Sequence, residues 1–187
     1  PPRIEIPRLA TSTTNLSAIA WDKGLTVPIK TASDGFEADR PTDFTACHDG
    51  TNLFLRLREE TDVTTILADG LWWAGDHWAV YFSNERERPF RYFRVPFLGK
   101  PDYSSVGETN SWYSALQVHQ AADSNAWIVM ASLPLTNLAA KAVKPGDAFH
   151  LNIIRNTFGG GAHLTWCPAT TGGYTNQSRW GEVRLKK

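Results

Sequence analysis

Two adjacent indoles, Trp72 and Trp73, precede Asp76 by four and three residues, and from there the chain passes through Ala74-Gly75 into an alternating run, His77 to Ser83. Within that run Trp78, Val80 and Phe82 fall on one side of a strand, and His77, Ala79 and Tyr81 on the other. A buried face accounts for Trp78. It does not account for Trp72 and Trp73, which sit in the preceding connection, where large aromatic rings are expensive to leave against water. The chemistry such a ring offers beside a sheet is stacking: its flat face suits the apolar C–H face of a sugar ring.

Other chemistries find less support. Glycoside cleavage needs two carboxylates across a cleft; Glu59, Glu60, Asp76 and Glu108 are acidic, but no spacing pairs any two of them. There is no G-x-S-x-G elbow, and neither cysteine carries a nucleophile motif, so no catalytic residue is assigned and the chain reads as a non-enzyme. His48, His77, His119, His150 and His163 are scattered singly without metal-ligand spacing, and no metal site is assigned. Asp102 and Glu108, in a long polar stretch, are hard oxygen donors compatible with a structural calcium. Met130 with a histidine would suit a haem, as in β-sandwich cytochromes, although its strand-like surroundings point to packing. Gly159-Gly160-Gly161 lies between two strands, so it lacks the helix N-terminus that a phosphate would use and reads as a hairpin tip. Arg86 and Arg88 alternate with Glu85 and Glu87, as in a solvated turn.

The 187 residues, 42% of them hydrophobic, can bury one substantial core, and the whole of 1–187 reads as a single domain, with 1–14 an extended arm or first strand. Lys plus Arg equals Asp plus Glu at 19 each, so no net field gathers polyanions, and nucleic acid is not an expected partner. No apolar run approaches the roughly 20 residues that cross a bilayer, so membrane insertion is not expected. The opening at Pro1 without a Met is what a trimmed, exported product would show. Cys47 and Cys167 permit one disulfide or two buried thiols.

The elements that would position the tryptophans are strands. Asn15 is placed to cap a short helical turn, Leu16 to Trp21. Thr42 to His48 and Asn52 to Glu59 flank Asp49-Gly50, a hairpin signal. His77 to Ser83 pairs with Phe90 to Phe97 across a charged turn; Lys100 to Ser111 reads as a loop; Ser114 to Gln120 and Asn125 to Ser132 form a third pair. Leu133 to Val143, with Pro134 near its start and Pro145-Gly146 beyond its end, is the one convincing helix. Phe149 to Asn156, His163 to Cys167 and Trp180 to Leu185 complete nine to eleven strands. The pattern predicts an all-β, immunoglobulin-like antiparallel β-sandwich with one or two short helices.

In order along the chain, D-G-T-N-L-F-L-R-L (Asp49 to Leu57), W-A-G-D-H-W-A-V-Y-F (Trp73 to Phe82), F-R-V (Phe93 to Val95), L-N-I-I-R-N (Leu151 to Asn156), L-T-W-C-P (Leu164 to Pro168) and S-R-W-G-E-V-R-L (Ser178 to Leu185) resemble the family 9 carbohydrate-binding modules and their relatives. The likeness begins near Leu16 and rests on order and spacing. It implies a non-catalytic module of a larger extracellular protein, exported to the periplasm, cell surface or medium for polysaccharide degradation. Its expected partner is an oligo- or polysaccharide chain end held between two aromatic rings. By the same resemblance the rings are Trp73 and Tyr174, with Arg94, Arg155, Asn156 and Asp76 as polar site candidates. Ala79 and Ile153 stand where sugar-binding members carry a glutamate and a glutamine. The alternative is a structural or protein-interaction sandwich in which the same aromatics fill an interface.

Overall fold

The computed structural model describes residues 1–68, 75–108, 115–159, 161–168, 173 and 176–187. Thirteen strands run through these described residues. They are β1 (Arg3–Ile6), β2 (Leu25–Pro28), β3 (Thr31–Ala32), β4 (Thr42–His48), β5 (Asn52–Glu60), β6 (His77–Ser83) and β7 (Phe90–Pro96), followed by β8 (Asp102–Val106), β9 (Gln117–Ala122), β10 (Ala126–Pro134), β11 (Ala148–Asn156), β12 (Leu164–Thr165) and β13 (Gly181–Leu185).

They form two sheets. The larger is ordered β1-β13-β11-β6-β7-β8, with β12 joined to β11 and β3 to β12; the smaller is β2-β4-β5-β10-β9. Among these strands every pairing is antiparallel except that of β1 with β13. Stacked face to face they make the all-β, immunoglobulin-like sandwich expected.

Alternation along the strands builds the core. Leu53, Leu55 and Leu57 of β5 are fully buried with Trp78, Val80 and Phe82 of β6, and Trp78 packs on Trp127 of β10 at 6.2 Å between ring centroids. Burying a side chain of this size contributes about 2–3 kcal/mol relative to exposure, so these inward residues fix the register of the central strands. The β4–β5 turn forms as its residues dictate: Gly50 takes φ +95°, and the Asp49 carboxylate accepts from the Thr51 and Asn52 amides.

Asn15 accepts from the Ser17 amide and caps a 3₁₀ turn, Leu16–Ala18; a second, Trp21–Lys23, follows. Around them Leu9, Leu16 and Ile19 pack with Cys47 and Phe54 on the outer side of the smaller sheet.

Two expectations are corrected. Leu133 to Val143 is not a helix: β10 runs through to Pro134, a 3₁₀ turn spans Leu135–Asn137, and the Val143 amide returns to the Leu135 carbonyl. Leu135, Leu138, Ala139 and Val143 are all buried, so this loop plugs the core with spacing that resembles a helical face. No α-helix is present among the described residues, only short 3₁₀ turns. Lys100 to Ser111 is not all loop, since β8 adds an edge strand to β7. Of the two alternatives left open for the cysteines, the structure shows the second: Cys47 and Cys167 are both free, buried thiols, and burial pushes each up to about 12.

Candidate functional site

The site is organised by β6, because successive residues of a strand face opposite ways. Trp78 faces the core, with Val95 and Arg155 beside it on β7 and β11. Ala79 faces outward, with Arg94 and Ile154 beside it. His77, also outward, lies between Pro96 and Asn156. Arg94 and Asn156 therefore share the outer face of the larger sheet, diagonally across β6. Arg155, one residue from Asn156, points into the interior.

On the outer face Ala79, Tyr81, Phe90, Ile154 and Trp180 form a second apolar cluster against which Tyr92 packs. The Arg94 guanidinium lies 4.9 Å from the centre of the Tyr92 ring and donates to Asp102 at 2.5 Å. Arg94 and Asp102 are directly opposite in the β7–β8 register, so the edge strand brings the carboxylate to the arginine. Asp102 is 40% exposed at its side chain, so this pair lies at the solvent boundary.

The interior group is an ion-pair network between the sheets. Arg155, 1% exposed, donates to Glu59 of β5, to the Asn156 carbonyl and, at 3.1 Å, to Asp76; its guanidinium also lies 4.9 Å from the Trp127 ring centre. Arg40 joins from the opposite side, donating to Glu59 at 2.5 Å and to Thr157 at 2.7 Å. A cavity of about 150 Å³ opens against Arg40, Glu59, Asp76, Arg155 and Thr157.

Asp76 ties the interior network to the backbone at Phe158 and Gly159. One carboxylate oxygen takes Arg155, and the other accepts the Phe158 amide at 2.5 Å and the Gly159 amide at 2.9 Å. Burial opposes its ionisation, but those two amides and Arg155 outweigh it and hold the carboxyl below its ordinary 3.8. Gly159 lies so close to the 65–67 segment that a Cβ there would meet the Thr65 carbonyl at 2.8 Å. His77 stacks on the Phe158 ring, with its Nδ1 3.1 Å from the Gly75 carbonyl. Burial lowers His77 to about 4, so it is neutral at pH 7.

Of the predicted site residues, Arg94 and Asn156 share the outer face on either side of β6, whereas Arg155 and Asp76 belong to the buried network. Trp73 and Tyr174 lie outside the described residues, as does Trp72. The position matched to a glutamine, Ile153, is fully buried in the core opposite Val80. Its outward neighbours are Ile154 and Asn152, and the Asn152 amide is spent on Thr165 and Cys167.

The calcium candidates are otherwise engaged: Asp102 with Arg94, and Glu108 with Nε and Nη2 of the Arg91 guanidinium. No group of three or more His, Cys, Asp or Glu among the described residues is arranged to hold a metal. Met130 packs beside Leu9, Leu16 and Phe54. Arg86 is not simply solvated, since it donates to the Ser178 and Trp180 carbonyls. Residue types alone gave no sign of Phe158, Tyr92 or the Glu59 and Arg40 partners. Strand parity is the signal that could have marked Arg155 as inward-facing, because it continues the buried series Phe149, Leu151, Ile153.

Residues 15–187 match the family described as carbohydrate family 9 binding domain-like, and the chain belongs to that family. Curated protein sequences offer no match. Among solved structures, the chain is similar to a putative carbohydrate-binding protein from Bacteroides uniformis, at TM-score 0.76 and 10% identity over 99% of both chains. It is also similar to a family 9 carbohydrate-binding module from Caldicellulosiruptor kristjanssonii. In complex with glucose that module gives TM-score 0.76 and 14% identity over 98% of this chain and 95% of the other; in complex with cellotriose it gives 0.73 and 14% over 98% and 93%.

Proposed function

We propose that this chain is a non-catalytic carbohydrate-binding module, exported as part of a larger polysaccharide-degrading protein, that holds a glycan chain end between Trp73 and Tyr174. The observation that carries the reading is the family match across residues 15–187. It is supported by the similar module from Caldicellulosiruptor kristjanssonii, which is in complex with glucose and with cellotriose.

In this reading the sugar's C–H faces stack on the two rings, and Arg94 and Asn156 on the outer face bond its hydroxyls. Arg155 and Asp76 act from below, as positioning residues: both are buried and committed to each other, and they fix the strand end that carries Asn156. Ala79 and Ile154 offer no hydrogen bond beside Arg94, so the polar complement is small and the affinity modest.

Calorimetric titration against a panel of mono- and oligosaccharides tests this. Trp73→Ala and Tyr174→Ala should each abolish binding while leaving the melting temperature nearly unchanged. Unaltered binding with a large loss of stability would reject the ring assignment.

A further inference from the structure

Phe158 is 48% exposed, yet three successive backbone donors, at Thr157, Phe158 and Gly159, are each held by a side chain. The Thr157 amide donates to His163 Nδ1 at 2.8 Å, and the Phe158 and Gly159 amides share one oxygen of Asp76. The ring itself is fixed by two imidazoles: His77 stacks on it at 6.0 Å and 26°, and His163 meets it edge-on at 5.8 Å and 68°. A phenyl ring left half wet but held in one orientation is a prepared surface, because little side-chain freedom is lost when something covers it.

Its position selects the occupant. His77, beneath the ring, is the cross-strand neighbour of Asn156 on the face that bears Arg94. Asp76, whose carboxylate anchors the ring's own amide, follows Trp73 by three residues in sequence. Near Phe158 the other exposed large apolar side chain among the described residues is Leu67, on the segment that Gly159 touches. One ring and one leucine fall far short of the roughly 800 Å² per partner that a stable protein interface buries. They match the apolar face of a single pyranose.

From this we infer that Phe158 is a second sugar-binding surface, stacking on a pyranose unit beyond the one held at the chain end, so that the module favours oligosaccharides over monosaccharides. The inference rests on the proposed chain-end site.

The test is titration of glucose, xylose, mannose and galactose, and of their β-linked trisaccharides, into wild type, Phe158→Ala and Phe158→Trp. Wild type should bind a trisaccharide more tightly than its monosaccharide. Phe158→Ala should weaken the trisaccharide about five- to tenfold and the monosaccharide less than about twofold, and Phe158→Trp should keep or tighten trisaccharide binding. Equal affinity of wild type for both lengths, or an unchanged trisaccharide affinity in Phe158→Ala, would overturn this inference and leave the chain-end site standing. Equal losses for both lengths would assign Phe158 a supporting role and overturn it too. A wild type that binds none of these sugars would overturn the chain-end reading, and this inference with it.

Discussion

Arg94 and Arg155 flank the same strand at consecutive register positions, and they occupy different worlds. Arg94, beside Ala79, lies on an aromatic outer face and meets a half-exposed aspartate. Arg155, beside Trp78, is sealed between the sheets with two carboxylates that are themselves 2% exposed. A step of one residue along β6 thus separates an arginine paired at the solvent boundary from one sealed between the sheets. The sequence spacing of two arginines says little about their roles until the parity of their strands is known.

Replacing each in turn should separate them most sharply. Arg155→Ala removes the cation that Glu59 and Asp76 share, leaving Asp76 buried without an ion pair and Glu59 with Arg40 alone, and should cost about 3–5 kcal/mol of folding stability. Arg94→Ala should cost about 1 kcal/mol or less, because its partner is solvated, and should instead weaken sugar binding. Chemical denaturation with calorimetric titration measures both. Similar stability losses for the two variants would erase the distinction.

Acid should bring out a further difference, since His77 is outward by parity but buried in fact. Its folded value of about 4 lies below its ordinary 6.5, so the unfolded chain takes up the proton first. Stability from this residue is therefore intact above about 6.5 and declines as pH falls toward 4, by about 3 kcal/mol in all. His48, His150 and His163 are lowered by burial as well and act in the same direction. Melting curves across this window should be flatter for His77→Gln; an identical slope would exclude His77 as a source of acid sensitivity.

Asp76, in the buried network, should show a smaller effect in the same direction, displaced to lower pH. Its folded value is depressed, so its contribution is present above about 3.8 and is lost as pH falls through the folded value. Asp76→Asn should remove about 1.5–3 kcal/mol at neutral pH and almost nothing in strong acid. A constant difference at all pH values would mean that the charge is not what matters. Least of all should reductant matter: with Cys47 and Cys167 free, its addition should leave the melting temperature unchanged, and the thiols should react with a disulfide probe only on unfolding.

The central strands were legible because burial on one face imposes strict alternation. β6 and the β4–β5 hairpin fall where alternation and the Asp49-Gly50 turn put them. The edges were not legible. β8 is D-Y-S-S-V, half-buried throughout with no inward apolar series, and β3 and β12 are two residues each, too short for any period to show. The false helix arose because a loop that plugs the end of a sandwich also needs apolar residues every three or four positions. For the candidate site, the arginine in the Phe-Arg-Val strand was readable from alternation. Asp102 could be matched to it only through a long-range register, and a resemblance that names Arg155 and Asn156 together does not show that the first is buried while the second faces outward.

The two oxygens of Asp76 serve different masters, one the interior arginine and the other the peptide amides beneath Phe158. Grafting this rim onto another sandwich would therefore require more than its surface residues. The guest loop would have to travel with the aspartate, the arginine and the glutamate of the facing sheet, as one inseparable cassette.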